Sequence, residues 1–202
     1  MFNAQRTFQK NIEKANELGE LKCYLSKIVT IPEEFEDLLR SQMVYAVSAF
    51  DKLMHDLIRI GMVQIFLGAR RPTAKYQNEG VSIQYLLQLL PGSMPPPGIR
   101  FEEIIREKLS LLSFQDPQKI GDGLSYIWDE KQKWKKIALS LGISDKAAKL
   151  QQRLIVSRRN AIVHEADLNS VTNKKQAITS AEARESCDFL LAVGNRICDL
   201  VI

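Results

Sequence analysis

The stretch IPEEFEDLLRSQMVYAVSAFDKLMHDLIRI, residues 31–60, decides the fold. Its apolar residues recur at steps of three and four: Phe35, Leu38, Leu39, Met43, Ala46, Ala49, Phe50, Leu53, Leu57 and Ile60. This spacing places them on one face of a helix that a core must cover. Thr30 can cap the helix, Pro32 suits its first turn, and the acidic residues that follow complement its dipole. The stretch predicts one long helix that extends toward Phe66, with Gly61 as a place where it bends or ends.

The same periodicity predicts further helices over residues 5–28, 101–114, 123–141, 144–165 and 179–202. The last begins with Thr179 and Glu182, which have the spacing of a capping box. Residues 68–98 end in the run PGSMPPPG, and proline at this density stops helices. Because strand-type alternation is almost absent, the sequence predicts an all-α antiparallel helical bundle with a proline-rich inserted loop. It reads as one domain over residues 1–202, with an N-terminal helix in 1–30 and an insertion at 68–98 that contains one short helix.

Composition narrows the class of protein. The chain has 202 residues, of which 45% are hydrophobic and 26% charged, as in a globular domain with one core. No apolar run reaches the roughly 18 residues that a membrane span needs, and the start lacks the apolar region of a signal peptide, so a cytoplasmic location is expected. The three cysteines form no CxxC pair and should be small core residues. No metal and no cofactor are expected.

The run RRNAIVHEAD, residues 158–167, carries the candidate chemistry. Asn160 and His164 are four residues apart and share a helix face, whereas Arg159 and His164 are five apart and point about 140° from each other. One copy of this set is therefore not a closed site. A symmetric dimer would bring two arginines and two histidines together, because the same patch then faces itself.

This arrangement of arginine, four residues and histidine, with a polar residue directly after the arginine, resembles the motif of HEPN-superfamily ribonucleases, and the run from Ile162 to Asp167 resembles their RiboL-PSP-like branch. The segment 46–57 looks like the helix that packs beside the motif helix in that family. The resemblance covers roughly residues 31–202, with the proline-rich insertion outside it. It implies dimers whose paired motifs line a cleft and cut RNA without a metal, often in toxin-antitoxin, antiviral or RNA-processing systems. It assigns Arg159 and His164 as catalytic, and Asn160 as the residue that orients them or the RNA.

Basic charge concentrates in the residues that lead into the motif. Residues 130–160 hold nine basic and two acidic side chains, a balance of +7, so the rest of a chain with a net charge of +4 carries −3. Such a cluster attracts a polyanion, and the residues predicted to bind RNA are Lys131, Lys133, Lys135, Lys136, Lys149 and Arg153. The alternative is that these lysines only solvate their helices. Trp134 either stacks on a base or packs into the bundle.

Histidine exchanges a proton near neutral pH, and arginine stabilises charge that develops on a phosphate. These residues thus predict a metal-independent endoribonuclease that cleaves RNA by attack of the 2′-hydroxyl at a homodimer cleft, and the family resemblance implies an antitoxin or defence-system partner. The alternatives are an inactive HEPN module that binds RNA, a nucleotide or a partner protein, and a helical scaffold. Asp51 and Arg158 are predicted accessory residues. Asp51 shares a helix face with His55, which either supports the site or only bonds its neighbour.

Overall fold

A computed structural model describes residues 1–29, 35–169 and 171–201. Within these ranges the chain forms nine α-helices and no β-strand, so the predicted all-α class is confirmed. The helices are α1 (Phe2–Ile28), α2 (Glu36–Phe66), α3 (Ala74–Gln77), α4 (Ile83–Leu86), α5 (Pro97–Ser110), α6 (Pro117–Leu124), α7 (Lys133–Ser140), α8 (Asp145–His164) and α9 (Ser180–Val201).

Helix α2 is the central element and packs against α1, α5, α6, α8 and α9. Its predicted stripe faces the core, where Phe50, Leu53 and Leu57 are fully buried. The helix continues past Gly61 to Phe66, so the glycine does not end it. The predicted cap and first-turn proline, at positions 30 and 32, lie outside the described residues.

Helices α1 and α9 complete one side of the core. They cross closely at Gly194, where a Cβ atom would collide with the ring of Phe8. Cys187 and Cys198 are buried in α9, and burial raises the pKa of Cys187 to about 11 and that of Cys198 to about 12. The prediction of a core position was wrong for Cys23, which is exposed.

The predicted helix over residues 123–141 was wrong, because the structure has α6, a connecting segment over 125–132, and α7. The apolar pattern is real, since Leu124, Ile127 and Trp134 are all buried. However, the hydroxyl of Thr73 donates to the carbonyls of residues 125 and 126, at 2.8 and 3.1 Å. A distant side chain therefore satisfies the carbonyls that a continuing helix would have used.

The other boundaries shift by smaller amounts. Helix α5 begins at Pro97 rather than residue 101, as suits a proline in a first turn, and ends at Ser110. The insertion holds two single-turn helices, α3 and α4, rather than one, and a 3₁₀ turn over Leu87–Leu89 follows α4. The capping box of α9 is confirmed: Thr179 Oγ1 accepts from the Glu182 amide at 3.2 Å, and Glu182 Oε2 accepts from the Thr179 amide at 2.8 Å.

Candidate functional site

Helix α8 carries the Arg159, Asn160 and His164 set over its last two turns. The helix starts at Ser144, whose hydroxyl accepts from the Ala147 amide at 3.1 Å. Its inner face buries Ala148, Gln152 and Ile155. Gln152 Nε2 donates to the Gln115 carbonyl at 2.9 Å and ties this face to the loop before α6. These contacts fix the rotation of α8 and therefore the direction of each motif side chain.

The chain turns sharply after His164, the last residue of α8. Ala166 and Asp167 both adopt left-handed backbone conformations, with φ of 51° and 60°. The Asp167 amide donates to the Ala161 carbonyl at 2.9 Å, and the Gln176 amide returns to the Asp167 carbonyl at 2.8 Å. This turn determines where the end of the motif helix lies.

A buried ion cluster holds the turn in place. The carboxylate of Asp167 is 1% exposed and contacts two arginines. Arg40 Nε donates to it at 2.6 Å, and two nitrogens of Arg158 lie 2.9 Å from its two oxygens. Both guanidinium groups also donate to the Gln176 carbonyl, at 2.6 Å from Arg40 and 3.2 Å from Arg158. Burial alone would lower the pKa of Arg40, but its bond to Asp167 and the nearby carboxylates raise it overall.

Sequence reasoning did not find Arg40 and Asp167, and it found Arg158 only as an accessory residue. Arg40 occupies a position on the apolar stripe of α2, three residues before Met43 and seven before Val47. A charged residue is almost never fully buried without a partner. The position of Arg40 on an apolar stripe was therefore the available sign of a buried acidic partner. A small cluster of Leu39, Met43, Ile178 and Ala183, with Ile162 against it, packs the end of α8 beside these charges.

The three motif residues are arranged differently from Arg158. Asn160 and His164 are exposed, and Arg159 is half-buried. Arg159 Nη1 donates to Asn160 Oδ1 at 3.0 Å, while its Nε is enclosed and has no partner among the described residues. Within the same residues, neither Arg159 nor His164 takes part in an ion pair. The structure therefore leaves both side chains available to a ligand.

One chain does not bring these side chains into a closed site. Because α8 is helical through His164, Arg159 points about 140° away from His164, whereas Asn160 lies one turn below the histidine on the same face. The arginine is connected to that face only through its bond to Asn160.

A basic groove with a volume of about 690 Å³ lies between α6, α7 and α8. Five of the six predicted RNA-binding residues line it: Lys131, Lys133, Lys135, Lys149 and Arg153. Lys136 does not, and its ammonium lies 2.8 Å from the carboxylate of Glu130. Trp134 is buried and donates to the Pro117 carbonyl at 2.9 Å, so it packs into the bundle rather than presenting its face to a base.

Acidic side chains balance part of the groove. Lys149 lies 3.2 Å from Asp145, and Arg153 lies 3.9 Å from Asp116. Lys131 and Lys135 are exposed and form no ion pair among the described residues. Desolvation by burial lowers the pKa of Lys133. The groove therefore keeps a positive balance that rests mainly on its exposed lysines.

The groove and the motif share one face of α8. At 100° per residue, Lys149, Arg153, Asn160 and His164 fall within about 60° of each other around the helix axis. The distance along the axis from Lys149 to His164 is about 22 Å at 1.5 Å per residue. A polyanion that lies along this face would contact the groove together with Asn160 and His164.

Asp51 makes its hydrogen bonds to the loop before α6 and not to the motif residues. Its carboxylate accepts from the Phe114 amide at 2.6 Å and from Gln115 Nε2 at 3.1 Å. His55 Nε2 is 3.9 Å from it, and the His55 ring packs edge-on against Phe114 at 4.8 Å. Asp51 thus holds the loop of Phe114 and Gln115, to which Gln152 of α8 also bonds. Its accessory role in the site stays a prediction.

The described part of the chain offers no group of three or more His, Cys, Asp or Glu side chains suited to a metal ion. Near the motif, Glu165 is exposed, and the carboxylate of Asp167 is already engaged by two arginines. Among the same described residues, no helix is both long enough and apolar enough to span a bilayer.

A sequence model of the RiboL-PSP-HEPN family matches residues 9–202. No curated protein and no solved structure matches the chain. The family match begins within α1 and extends through α9, across the insertion that the resemblance had left outside. The chain therefore belongs to the RiboL-PSP-HEPN family, whose domain type suggests a ribonuclease or a nucleotide-binding module.

Proposed function

We propose that this protein is a metal-independent endoribonuclease that acts as a homodimer. One observation carries the proposal: on the same two turns of α8, Arg158 is engaged by Asp167 and two carbonyls, while Arg159, Asn160 and His164 form no ion pair among the described residues. The enclosed Nε of Arg159 also has no partner among the described residues, and a buried polar group left unpaired in a native fold is often explained by a functional contact.

The proposed reaction is an internal transesterification. The 2′-oxygen of a ribose attacks the adjacent phosphorus, and the bond from phosphorus to the 5′-oxygen breaks. A neutral His164 accepts the proton of the 2′-hydroxyl, and the departing 5′-oxygen takes a proton from water. Arg159 donates to the phosphate oxygens as negative charge develops. The products are a 2′,3′-cyclic phosphate and a 5′-hydroxyl, and DNA, which lacks the nucleophile, is not cut.

The second copy follows from the geometry of the first. Arg159 and His164 of one chain diverge, so an arginine from one copy and a histidine from the other make the more compact pair. Helix α8 also exposes Leu150 and Leu154, which are 57% and 61% accessible and lie one turn apart. At 100° per residue these leucines lie about 40° and 80° from His164 around the helix axis. A dimer that packs α8 against its symmetry mate there would cover them and bring the two His164 side chains near one cleft, which each Arg159 would reach through its long side chain.

RNA would enter along the shared face of α8. The exposed Lys131 and Lys135, together with Lys149 and Arg153, would contact phosphates in the groove. Such contacts position a strand without reading its sequence. A role as a toxin or defence effector in the cytoplasm, neutralised by an antitoxin or controlled by a partner, fits such an activity.

The alternative is a module that binds RNA, a nucleotide or a protein without cutting it. The observation that favours it is that the groove lies within one chain, whereas the motif is not closed within one chain. In that case substitutions in the groove weaken RNA binding, and neither the wild type nor His164→Ala cuts RNA.

The test is incubation of the purified protein with mixed RNA in EDTA, beside Arg159→Ala, His164→Ala and a DNA substrate. Cleavage with cyclic phosphate ends should fall by about 10² or more in either variant. Glu165→Gln, an exposed neighbour of His164, is the matched control and should cut like the wild type. Equal cleavage by all proteins, or cleavage that stops in EDTA, contradicts the mechanism.

Mixing the two inactive variants tests the dimer. A mixed dimer of Arg159→Ala and His164→Ala chains keeps one arginine and one histidine on opposite copies. Recovery of part of the activity on mixing is expected if the site combines residues of two chains. No recovery, in a mixture that size exclusion shows to be dimeric, would place each active pair within one chain.

A further inference from the structure

A second cavity, of about 530 Å³, lies between the insertion and the core. Its walls come from the C-terminal end of α2, from α5 and from residues 76–89 of the insertion. None of its lining residues belongs to α8 or α9, so the cavity is separate from the groove and the motif. A volume of this size is within the range of small-molecule sites.

The walls of this cavity are mainly apolar and aromatic. Phe66 and Phe101 stack with ring centroids 4.3 Å apart, and Tyr76 meets Phe101 edge-on at 6.3 Å. Ile104 and Leu89 add aliphatic surface. These side chains would contact a flat ring or a branched aliphatic group better than a chain of polar atoms.

The insertion encloses the cavity without filling it. Over residues 83–89, Tyr85 and Leu89 line the cavity, whereas Ile83 and Leu87 point outward and are 82% and 76% exposed. Polar contacts hold this segment above α5. Tyr85 Oη donates to Glu107 Oε2 at 3.1 Å, and Arg100 donates to Gln88.

The charges of the cavity determine which ligands fit. Its ionisable side chains are Glu79, Glu107, Lys108 and the two tyrosines. Lys108 is paired with Glu79, which also accepts the hydroxyl of Tyr126 at 2.5 Å. Among the described residues, the carboxylate of Glu107, which is exposed to solvent, receives only the Tyr85 hydroxyl. The cavity thus presents a carboxylate with remaining acceptor capacity and a cation that is already neutralised, so it disfavours an anion.

We propose that this cavity binds a small organic molecule with an aromatic or branched aliphatic body and no negative charge, with any amine directed at Glu107. The site is independent of the proposed ribonuclease activity. The insertion is then the wall of a ligand site rather than a passive loop.

The test uses two fluorescent probes that share one skeleton. N-phenyl-1-naphthylamine is uncharged, and 8-anilinonaphthalene-1-sulfonate adds a sulfonate to the same rings. Titration of the native protein should show one saturable site for the neutral probe, with binding of the sulfonated probe about tenfold weaker, or about 1.4 kcal/mol. Glu107→Gln should narrow that difference. Equal or tighter binding of the sulfonated probe overturns the charge assignment.

Variants locate the bound probe. Val81→Phe and Leu89→Phe enlarge two half-buried lining residues and should each weaken the neutral probe by about tenfold or more, because they occupy its space. Leu87→Gln is the matched control, since it removes an exposed leucine of the same segment and should leave binding unchanged. Thermal unfolding of each variant verifies its fold. If only Leu87→Gln removes binding, the probe sits on the outer surface and the proposal fails.

Discussion

Arg158 and Arg159 are neighbours on one helix, yet the partners of their side chains differ. Arg158 points to the turn after α8, where it contacts a buried carboxylate and two carbonyls. Among the described residues, the Arg159 side chain donates only to the exposed Asn160, and its enclosed Nε has no hydrogen-bond partner. The comparison separates a side of α8 that supports the fold from a side that is available for chemistry.

The difference gives the two arginines separate proposed roles. The side of Arg158 fixes the end of the helix through Asp167 and Arg40, and so fixes where His164 lies. The side of Arg159 can then keep polar groups unsatisfied, as functional sites often do. Substitutions on the first side should change the free energy of unfolding, and substitutions on the second should change only activity.

Asp167→Asn should give the largest loss of stability. The amide keeps the shape and tolerates the left-handed conformation, but two arginines lose the buried charge between them. Removal of one partner of a buried ion pair costs about 3–5 kcal/mol. Chemical denaturation followed by circular dichroism measures this loss.

Asp37→Asn is its matched control. Asp37 contacts the same Arg40 at 3.1 Å, but its side chain is 58% exposed. An exposed ion pair contributes about 0–1 kcal/mol, so this variant should unfold close to the wild type. If both variants lose the same stability, the cluster at Asp167 does not support the turn as described.

Arg159→Ala should lower the rate of RNA cleavage by about 10²–10³, while its free energy of unfolding changes by no more than about 0.5 kcal/mol. The reason is that, among the described residues, Arg159 makes one side-chain hydrogen bond, to the exposed Asn160, and its buried Nε has no partner to lose. Its proposed functional contact is to the phosphate of the RNA. Single-turnover cleavage and denaturation of the same preparation measure both quantities. Arg159→Lys keeps the charge but loses the planar fork, and should recover little activity. A variant that loses stability and activity together would assign Arg159 to the structural side.

The residues on the side of Arg159 could be predicted from the sequence better than those on the side of Arg158. Arg159, Asn160 and His164 lie within six residues, so their spacing and the helix period suffice to place them. The contact between Arg40 and Asp167 spans 127 positions and depends on two left-handed residues, which no local pattern reveals. Prediction of the fold had the same limit.

The helix boundaries also show that local signals could be predicted and distant contacts could not. Helices α2, α8 and α9 were predicted to within a few residues where the chain is described, because apolar periodicity and caps are local signals. The break between α6 and α7 was missed, because it depends on Thr73, some 50 residues away. The two exposed lysines of the groove could be predicted from local charge, whereas the burial of Trp134 depends on Pro117 in another helix.

The smallest effect is expected at the start of α9, which follows the carbonyls that Arg158 binds. Thr179→Ala removes the bonds that Thr179 Oγ1 makes with Glu182 and should cost about 1 kcal/mol at neutral pH. Hydrogen bonds from the Thr179 amide and hydroxyl hold the pKa of Glu182 below its ordinary value of 4.5. A carboxyl with a lowered pKa stabilises the fold above its unfolded pKa and loses that contribution as the pH falls through the folded one. The gap between wild type and variant should therefore narrow as the pH falls below about 4.5. Ser144→Ala, which removes the cap of α8 but has no glutamate partner, should show a gap that acid leaves unchanged, and denaturation series for both variants across this pH range test the contrast.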